Sequence, residues 1–301
     1  MAPTSESAAQ ASTYGIQWGP SETRGAFQHS AFTANPAPVP STSERPAQRP
    51  VSGRRLRASG SGGADGGAFG EAGGEGAAGG CGFDGDVPAG GYRWHYFDGV
   101  SDCGEYAFTV IAFVGSVFST WYHFAGRRDP DNHVALNVVL YTPQGDYWAM
   151  TERGRHSQAR SSSRFRIGPS MVQHVDGGLV IDFDEIAPPF PPRRLRPRRL
   201  RGRIVLTPRL ECGTTFALDP EGRHKWWPVA PAARVRVESN VLAGGGWEGS
   251  GYHDLNWGTR PLETDFRGWD WSRGQTPDGG AMVLYDARLR DGDRGVGAGR
   301  L

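Results

Sequence analysis

From Phe83 onward the chain consists of short apolar or alternating apolar and polar runs, separated by turn-forming pairs such as Asp176-Gly177. Alternation with a period of two is typical of strands, and helical periodicity is almost absent. Ten runs are predicted as strands: Arg93–Ser101, Tyr106–Phe118, His133–Pro143, Asp146–Gly154, Arg164–Ile167, Met171–Val175, Gly178–Ile186, Arg201–Pro208, Arg234–Ser239 and Ala281–Leu289. Many short strands with closely spaced turns predict an all-β protein, either an antiparallel barrel or a sandwich.

Residues 1–82 lack this pattern, and we expect them to form a disordered leader. Prolines recur among Ser, Ala and Thr between Pro36 and Pro50, and 15 of the 33 residues from Ser59 to Gly91 are Gly. Such a composition buries too little apolar surface to offset about 1–2 kcal/mol of backbone entropy per residue. The leader is either a functional tether or partner motif, or an unstructured extension or mis-assigned start.

Composition narrows the functional classes. The 301 residues carry a formal net charge of +1, which argues against the broad positive field of a nucleic-acid-binding protein. No apolar run reaches the roughly 18–20 residues of a membrane-spanning helix, and Met1–Gly15 lacks the features of a secretory signal. Cys81, Cys103 and Cys212 are too widely spaced for a disulfide framework. We therefore expect a cytoplasmic protein.

A Pro- and Arg-rich segment extends from Pro188 to Arg203, with seven Arg between Arg193 and Arg203. One interpretation is a solvated connector between strands. The other is peripheral contact with an anionic membrane surface, at about 1 kcal/mol per Arg near such a surface. A substrate dissolved in lipid would favour the second interpretation and would place the protein at the inner or intracytoplasmic membrane.

The sequence contains no motif for a nucleotide, a phosphate or a catalytic metal. His123 and His133 lie ten residues apart, with Asp129 and Asp131 between them, but two arginines share this loop and no close histidine pair is present. We therefore expect no metal and no cofactor.

Large aromatic side chains and ionisable groups are concentrated in three patches between Gly222 and Arg273. The patches are Gly222–Pro228, Gly251–Gly258 and Gly268–Arg273. One such patch alone would be typical of aromatic rings that fill a β core, with Asp and His at its turns. Three patches within about fifty residues, bordered by Gly, are typical of an apolar pocket that holds a few polar groups.

Such a pocket suits proton transfer to a hydrophobic substrate. Desolvation favours the neutral form of an Asp, which can then act as an acid near neutral pH. Faces of Trp and Tyr rings stabilise a cation by roughly 0.5–2 kcal/mol each. These groups together predict protonation of an alkene.

Seven sequence blocks in order resemble those of the carotenoid 1,2-hydratase family, also called hydroxyneurosporene synthase. The blocks are Gly90–Asp102, Ile111–Phe118, Asn132–Asn137, Trp148–Gly154, His224–Pro228, Gly251–Asn256 and Trp269–Arg273. The resemblance extends from about Phe83 to Asp286 and is more specific than any single motif.

The resemblance implies two tandem lipocalin-like β-barrels, expected at 83–235 and 236–301, with the second barrel incomplete. It also implies cofactor-independent addition of water to the terminal C1–C2 double bond of acyclic carotenes such as neurosporene or lycopene. The functional positions of the family fall on His224, Trp226, Tyr252 and Asp254. We expect five further residues to contact the substrate: Trp227, Asn256, Trp257, Trp269 and Trp271.

The expected mechanism begins with Asp254, which protonates C2 and leaves a tertiary cation at C1. Trp226, Tyr252 and Trp257 hold the cation, a water oriented by Asn256 adds to C1, and its proton passes to His224 or back to Asp254. His253 would point away from the acid if this stretch is extended.

Three alternatives remain open from the sequence. The chain could be a lipocalin-type carrier that binds a carotenoid or lipid without reaction, or a relative that assists cyclisation. It could also be an inactive homologue, because residues 291–301 are not expected to form strands and would leave the second barrel open. Formation of a hydrated product would distinguish the hydratase from these alternatives.

Overall fold

The structure is a computed structural model that describes residues 81–189, 195–276 and 280–290, together with the backbone of Tyr14–Trp18 and Arg294–Arg300. All of these belong to one compact unit. The expected leader therefore lies largely outside the described residues, except that Tyr14–Trp18 is a strand.

Almost all of the regular structure is β. In chain order the strands are β1 (Tyr14–Trp18), β2 (Tyr92–Ser101), β3 (Ala107–Val114), β4 (Val134–Tyr141), β5 (Tyr147–Arg153), β6 (Gln158–Arg160), β7 (Arg164–Ile167), β8 (Ser170–Val175), β9 (Gly178–Ala187), β10 (Arg198–Leu210), β11 (Phe216–Ala217), β12 (His224–Ser239), β13 (Gly246–Gly258), β14 (Phe266–Gln275), β15 (Ala281–Leu289) and β16 (Arg294–Arg300). The helices are α1 (Thr120–Phe124), α2 (Leu262–Asp265) and two 3₁₀ turns, Pro130–Asn132 and Arg155–Ser157.

The longer sheet has the order β5-β4-β3-β2-β13-β12-β10-β9-β8-β7-β6, with β11 paired to β12. Its strand pairs are antiparallel. The sheet curves until β5 lies against β9, so it forms a nearly closed barrel. Arg153 on β5 and Glu185 on β9 form an ion pair of 2.7 Å across this junction.

A second sheet has the order β1-β14-β15-β16. Its β15 alternates buried and more exposed positions, and the buried Val283 and Tyr285 join a core cluster with residues of the longer sheet. The central strands of the longer sheet therefore have a core on each face. For example, Phe97 packs inside the barrel, whereas its neighbour Tyr96 packs between the sheets.

The all-β class that we predicted is confirmed, and each of the ten predicted runs contains or overlaps a strand. Besides the C-terminal β16, five strands were not predicted. The short strands β1, β6 and β11 lie outside the predicted runs, and the glycines and tryptophans of β13 and β14 break the alternation that marks other strands. One expectation was wrong: the tail was not expected to form strands, yet Arg294–Arg300 pairs with β15. Backbone pairing there does not require an apolar pattern.

The expected domain boundary between residues 235 and 236 lies inside β12, and the change from the longer to the second sheet occurs between Gly258 and Phe266. The division into two domains stays a prediction. No helix in the described part of the chain has the length and apolar character needed to cross a membrane.

The Arg-rich segment lies partly outside the described residues, at 190–194. From Arg198 onward it belongs to β10, where Arg199 and Arg201 pair with Asp184, and Arg203 pairs with Asp182. Several of its charges are therefore already balanced on the sheet surface.

Candidate active site

The candidate site lies between the two sheets, on the face that β13 directs towards β15. Because side chains alternate along a strand, Tyr252, Asp254 and Asn256 share that face. The register places Asn256 beside Trp226 of β12 and Asp254 beside Tyr96 of β2. Strand pairing thus brings three separate parts of the chain to one carboxyl group.

Asp254 is buried, with 3% of its surface exposed. Its Oδ2 accepts hydrogen bonds from Trp226 Nε1 and from the Tyr252 hydroxyl, each at 2.9 Å. Its Oδ1 is also buried and has no hydrogen-bond partner among the described residues. The two oxygens of the carboxyl group are therefore in different environments.

Burial raises the pKa of Asp254 from an ordinary value near 3.8 to about 7. The hydrogen bonds from Trp226 and Tyr252 oppose this rise, because both stabilise the charged form. At neutral pH a substantial fraction of the group is protonated. Since Oδ2 already accepts two hydrogen bonds, we infer that the acidic proton is on Oδ1.

Asp254 contributes to the wall of an apolar cavity, which we call the aromatic pocket. It is lined by Trp94, Tyr96, Ile111, Phe113, Val117, Phe118, Asp254, Asn256, Trp269, Trp271 and Tyr285. The cavity volume open to a water-sized molecule is about 40 Å³. This exceeds the roughly 10–15 Å³ that one water requires, so the narrow pocket has room for water near the carboxyl group.

The rings around the carboxyl group pack edge to face or tilted against one another. Trp271 lies 5.1 Å from Tyr252 and 5.5 Å from Tyr96, and Trp226 lies 5.2 Å from Tyr285, measured between ring centroids. Tyr285 and Asn256 both line the pocket, and Asn256 Nδ2 is buried without a hydrogen-bond partner among the described residues. This arrangement surrounds one acid with electron-rich rings.

His224 belongs to a different hydrogen-bond network. Its Nδ1 lies 3.0 Å from the Tyr92 hydroxyl and its Nε2 lies 2.8 Å from Asp265 Oδ2. Burial lowers its pKa, and the hydrogen bond to Asp265 opposes the change. Both ring nitrogens are engaged, and none of its hydrogen bonds in the described structure goes to Asp254.

A family model described as carotenoid hydratase CrtC matches residues 110–300. The chain belongs to this carotenoid hydratase family. An acyclic carotenoid 1,2-hydratase of Thiocapsa roseopersicina is 43% identical over 93% of this chain and 73% of its own length. Another from Rubrivivax gelatinosus is 47% identical over 70% of this chain, which spans 52% of that relative.

In this carotenoid hydratase chain, all but two of the predicted site residues separate into three groups. Trp226, Tyr252 and Asp254 form one hydrogen-bonded cluster. Asn256, Trp269 and Trp271 line the aromatic pocket next to this cluster. The structure therefore brings these three residues together with Asp254. His224 stands apart in its own network.

Trp227 and Trp257, which we expected to contact the substrate, lie outside the aromatic pocket. The Trp227 indole donates to the Cys212 carbonyl, and Trp257 lies under the Arg93 guanidinium, 5.7 Å from the ring centroid. Trp227 directly follows Trp226, and Trp257 directly follows Asn256, so strand alternation turns both to the opposite face.

His253 also faces away from the acid. It stacks on Phe97 at 4.4 Å inside the barrel, and its Nε2 lies 3.4 Å from Nδ1 of His95. Burial lowers the pKa of His253 to about 3, so it is neutral at physiological pH. Although His253 is next to Asp254 in the sequence, their side chains therefore point to opposite faces of β13.

Sequence reasoning did not identify five aromatic residues of the pocket: Trp94, Tyr96, Phe113, Phe118 and Tyr285. The alternation of Tyr92, Trp94 and Tyr96 along β2 is the signal that could have indicated one aromatic face. It also missed a buried ion pair between Asp98 and Arg273, 175 residues apart, which has no sequence signature.

Proposed function

We propose that this chain catalyses hydration of the terminal C1–C2 double bond of an acyclic carotenoid such as neurosporene or lycopene, without a cofactor. The family and its named relatives support carotenoid hydration. The choice of bond, the substrate and the roles of the residues are our proposal.

One observation carries the proposal: a carboxyl group with a pKa of about 7 lies in an aromatic pocket with one oxygen unpartnered among the described residues. An isolated alkene has no polar handle, and a proton from the buried carboxyl group is the electrophile that this site can supply. An acid with this pKa is protonated in a useful fraction at neutral pH and regains its proton readily.

The Asp254 Oδ1–H transfers its proton to C2, and the π electrons of the double bond form the new C–H bond. The positive charge develops at C1, a tertiary centre, where the surrounding Trp and Tyr faces stabilise it. Water adds through its oxygen to C1 and then loses a proton. The sum is one alkene and one water converted to a tertiary alcohol.

The geometry favours return of that last proton to the Asp254 carboxylate, which restores the acid. His224 is less suited, because both of its ring nitrogens already have partners and neither is the Asp254 carboxyl. We assign His224 a positioning role, in which it holds Tyr92 against Trp94 of the pocket wall, at 4.9 Å between centroids.

The decisive variant is Asp254→Asn, which keeps the shape of the side chain and removes its acidity. We expect at least a 10²-fold loss of hydration, in line with general acid catalysis. Purified variant and wild type would be incubated with neurosporene in ²H₂O, and the product analysed by mass spectrometry. Wild type should give an alcohol with one deuterium at C2.

An Asp254→Asn variant with near wild-type activity would remove Asp254 from the acid role. If wild type instead retains carotenoid through purification and forms no alcohol, the carrier alternative is correct. A cyclised product with no added water would support the cyclisation alternative.

A further inference from the structure

Three large aromatic side chains are exposed at one place on the surface, and we call them the aromatic patch: Phe118, Trp121 and Phe124. Their exposed fractions are 42%, 71% and 77%. Single exposed apolar residues are common, but a group this close together in the chain marks an interaction surface.

The segment that carries the patch is fixed to the protein. Tyr122 is fully buried, and its hydroxyl donates to the Gly91 carbonyl at 2.8 Å. The Ser119 hydroxyl accepts from the Tyr122 backbone N–H at 2.8 Å and donates to Glu152 at 2.5 Å. Helix α1 is therefore held from one side, and Trp121 and Phe124 are directed outward.

The aromatic patch is continuous with the aromatic pocket. Phe118 belongs to both, because it is partly exposed and also lines the pocket beside Val117. Its ring packs edge-on against Phe113 at 5.3 Å between centroids. A molecule that covered the patch would lie at the rim of the cavity that contains Asp254.

The segment that carries the patch has basic and no acidic side chains, and the neighbouring Glu263 pairs with one of them. Residues 116–128 contain no Asp or Glu, and they end in Arg127 and Arg128. Arg128 is exposed, whereas Arg127 donates to Glu263 at 2.5 Å. Exposed Trp and Phe next to Arg are the combination found in segments that lie in the interface of an anionic membrane.

We propose that the aromatic patch is a membrane-docking surface, which enters the interface of an anionic lipid bilayer and opens the aromatic pocket towards it. The identity of the molecule that crosses this rim, a lipid-dissolved carotenoid, rests on the proposed function. The docking itself does not rest on the proposed function. It is argued from the exposure of the three rings, the fixed position of helix α1 and the basic residues of the segment.

The size of the patch favours lipid over a protein partner. An aromatic side chain buries about 150–250 Å² in full, so three partly exposed ones offer at most about 600 Å². A stable protein interface needs about 800 Å² on each partner. A bilayer needs no matching surface and gains from each ring that enters it.

The test is flotation with vesicles of equal parts phosphatidylcholine and phosphatidylglycerol. We expect wild type to float with the vesicles. The double variant Trp121→Ser/Phe124→Ser should bind the vesicles at least about tenfold more weakly. The matched control is Met282→Ser/Leu284→Ser, which removes two exposed apolar side chains, 54% and 44% exposed, from β15. This control should float like wild type.

A second measurement detects membrane insertion with a variant that keeps a large aromatic side chain at position 121. With brominated lipids, wild-type fluorescence should be quenched in part, and Trp121→Phe should bind equally well but lose that quenching. The proposal is overturned if wild type does not float, if both double variants lose binding alike, or if Trp121→Phe is quenched as strongly as wild type. A lipid-independent dimer that the Trp121/Phe124 variant abolishes would also overturn it, in favour of self-association.

Hydration assays separate this proposal from the proposed function. With substrate in detergent micelles, the Trp121/Phe124 variant should match wild type; with substrate in vesicles, it should be several-fold slower. If neither protein forms alcohol in micelles, the proposed function fails, while the flotation result still decides the docking surface.

Discussion

The acidity of Asp254 follows from its surroundings rather than from its residue type. Burial among aromatic rings raises its pKa, and two donors on Oδ2 limit the rise. The sequence predicted an uncharged carboxyl group among rings, because Asp254 lies between Tyr252 and Trp257 in an aromatic stretch. It could not predict the asymmetry between Oδ1 and Oδ2, which depends on Trp226 from the neighbouring strand.

Removal of one donor should shift the pH dependence of hydration. In Tyr252→Phe the charged form of Asp254 loses a hydrogen bond, so the pKa of Asp254 rises further. Because the protonated form is the active one, activity falls as pH rises through this pKa, and the fall should move to higher pH. A shift of about one to two pH units is expected, since a hydrogen bond to a charged group is worth about 1.5–3 kcal/mol.

The measurement is the relative rate between pH 5 and pH 9, whatever its absolute level. Tyr96→Phe is the control, because the Tyr96 hydroxyl donates to Asp98 and not to Asp254. An unchanged or lowered midpoint in Tyr252→Phe would contradict the assigned direction of this hydrogen bond.

Strand β13 shows why an element can escape prediction. Its glycines interrupt the alternating pattern, but they are required by close approach of the neighbouring strands. A Cβ atom on Gly258 would lie 2.6 Å from Tyr92 Cε1 and 2.7 Å from His224 Nδ1. A Cβ atom on Gly249 would overlap the carbonyl of Val100. The glycines that interrupt the alternating pattern are therefore the residues that allow β13 to pack closely against its neighbouring strands.

Gly258→Ala should therefore disturb the pair formed by Tyr92 and His224. We expect the free energy of unfolding to fall by about 1–3 kcal/mol, as is usual for an overpacked core, together with a loss of hydration. Urea unfolding measures the first effect and product formation the second. Gly274→Ala is the matched control on β14, since a Cβ atom on Gly274 would have no atom within 4 Å beyond its chain neighbours. Equal behaviour of the two variants would contradict this account.

The barrel depends on contacts between strands that are distant in the chain. Glu185 is fully buried where β9 meets β5, and it accepts from Arg153 Nη2 and the Ser170 hydroxyl, each at 2.7 Å. Removal of the Arg153 side chain would leave this buried carboxyl group without its compensating cation. This junction links the early strands of the longer sheet to its later ones.

Arg153→Met should lower the free energy of unfolding by about 3–5 kcal/mol, the usual effect of breaking a buried pair from one side. The double variant Arg153→Met/Glu185→Gln should recover part of that loss, because the uncompensated charge is gone. Arg203→Met breaks an exposed pair with Asp182 and should cost below about 1 kcal/mol. Urea unfolding of wild type and these three variants tests the series; a small effect in Arg153→Met would show that the junction does not depend on this pair.

The sequence by itself determined the all-β class, most of the strands and the aromatic stretch that contains the acid, because alternation and turn residues are local properties of the chain. Only the tertiary structure decided which face each ring occupies and which partners meet. Trp226 reaches Asp254 while Trp227 does not, and His224 pairs with Asp265 rather than with the acid. Alternation defines two faces of a strand, but what covers each face depends on strand order, register and sheet packing, which join residues far apart in the chain.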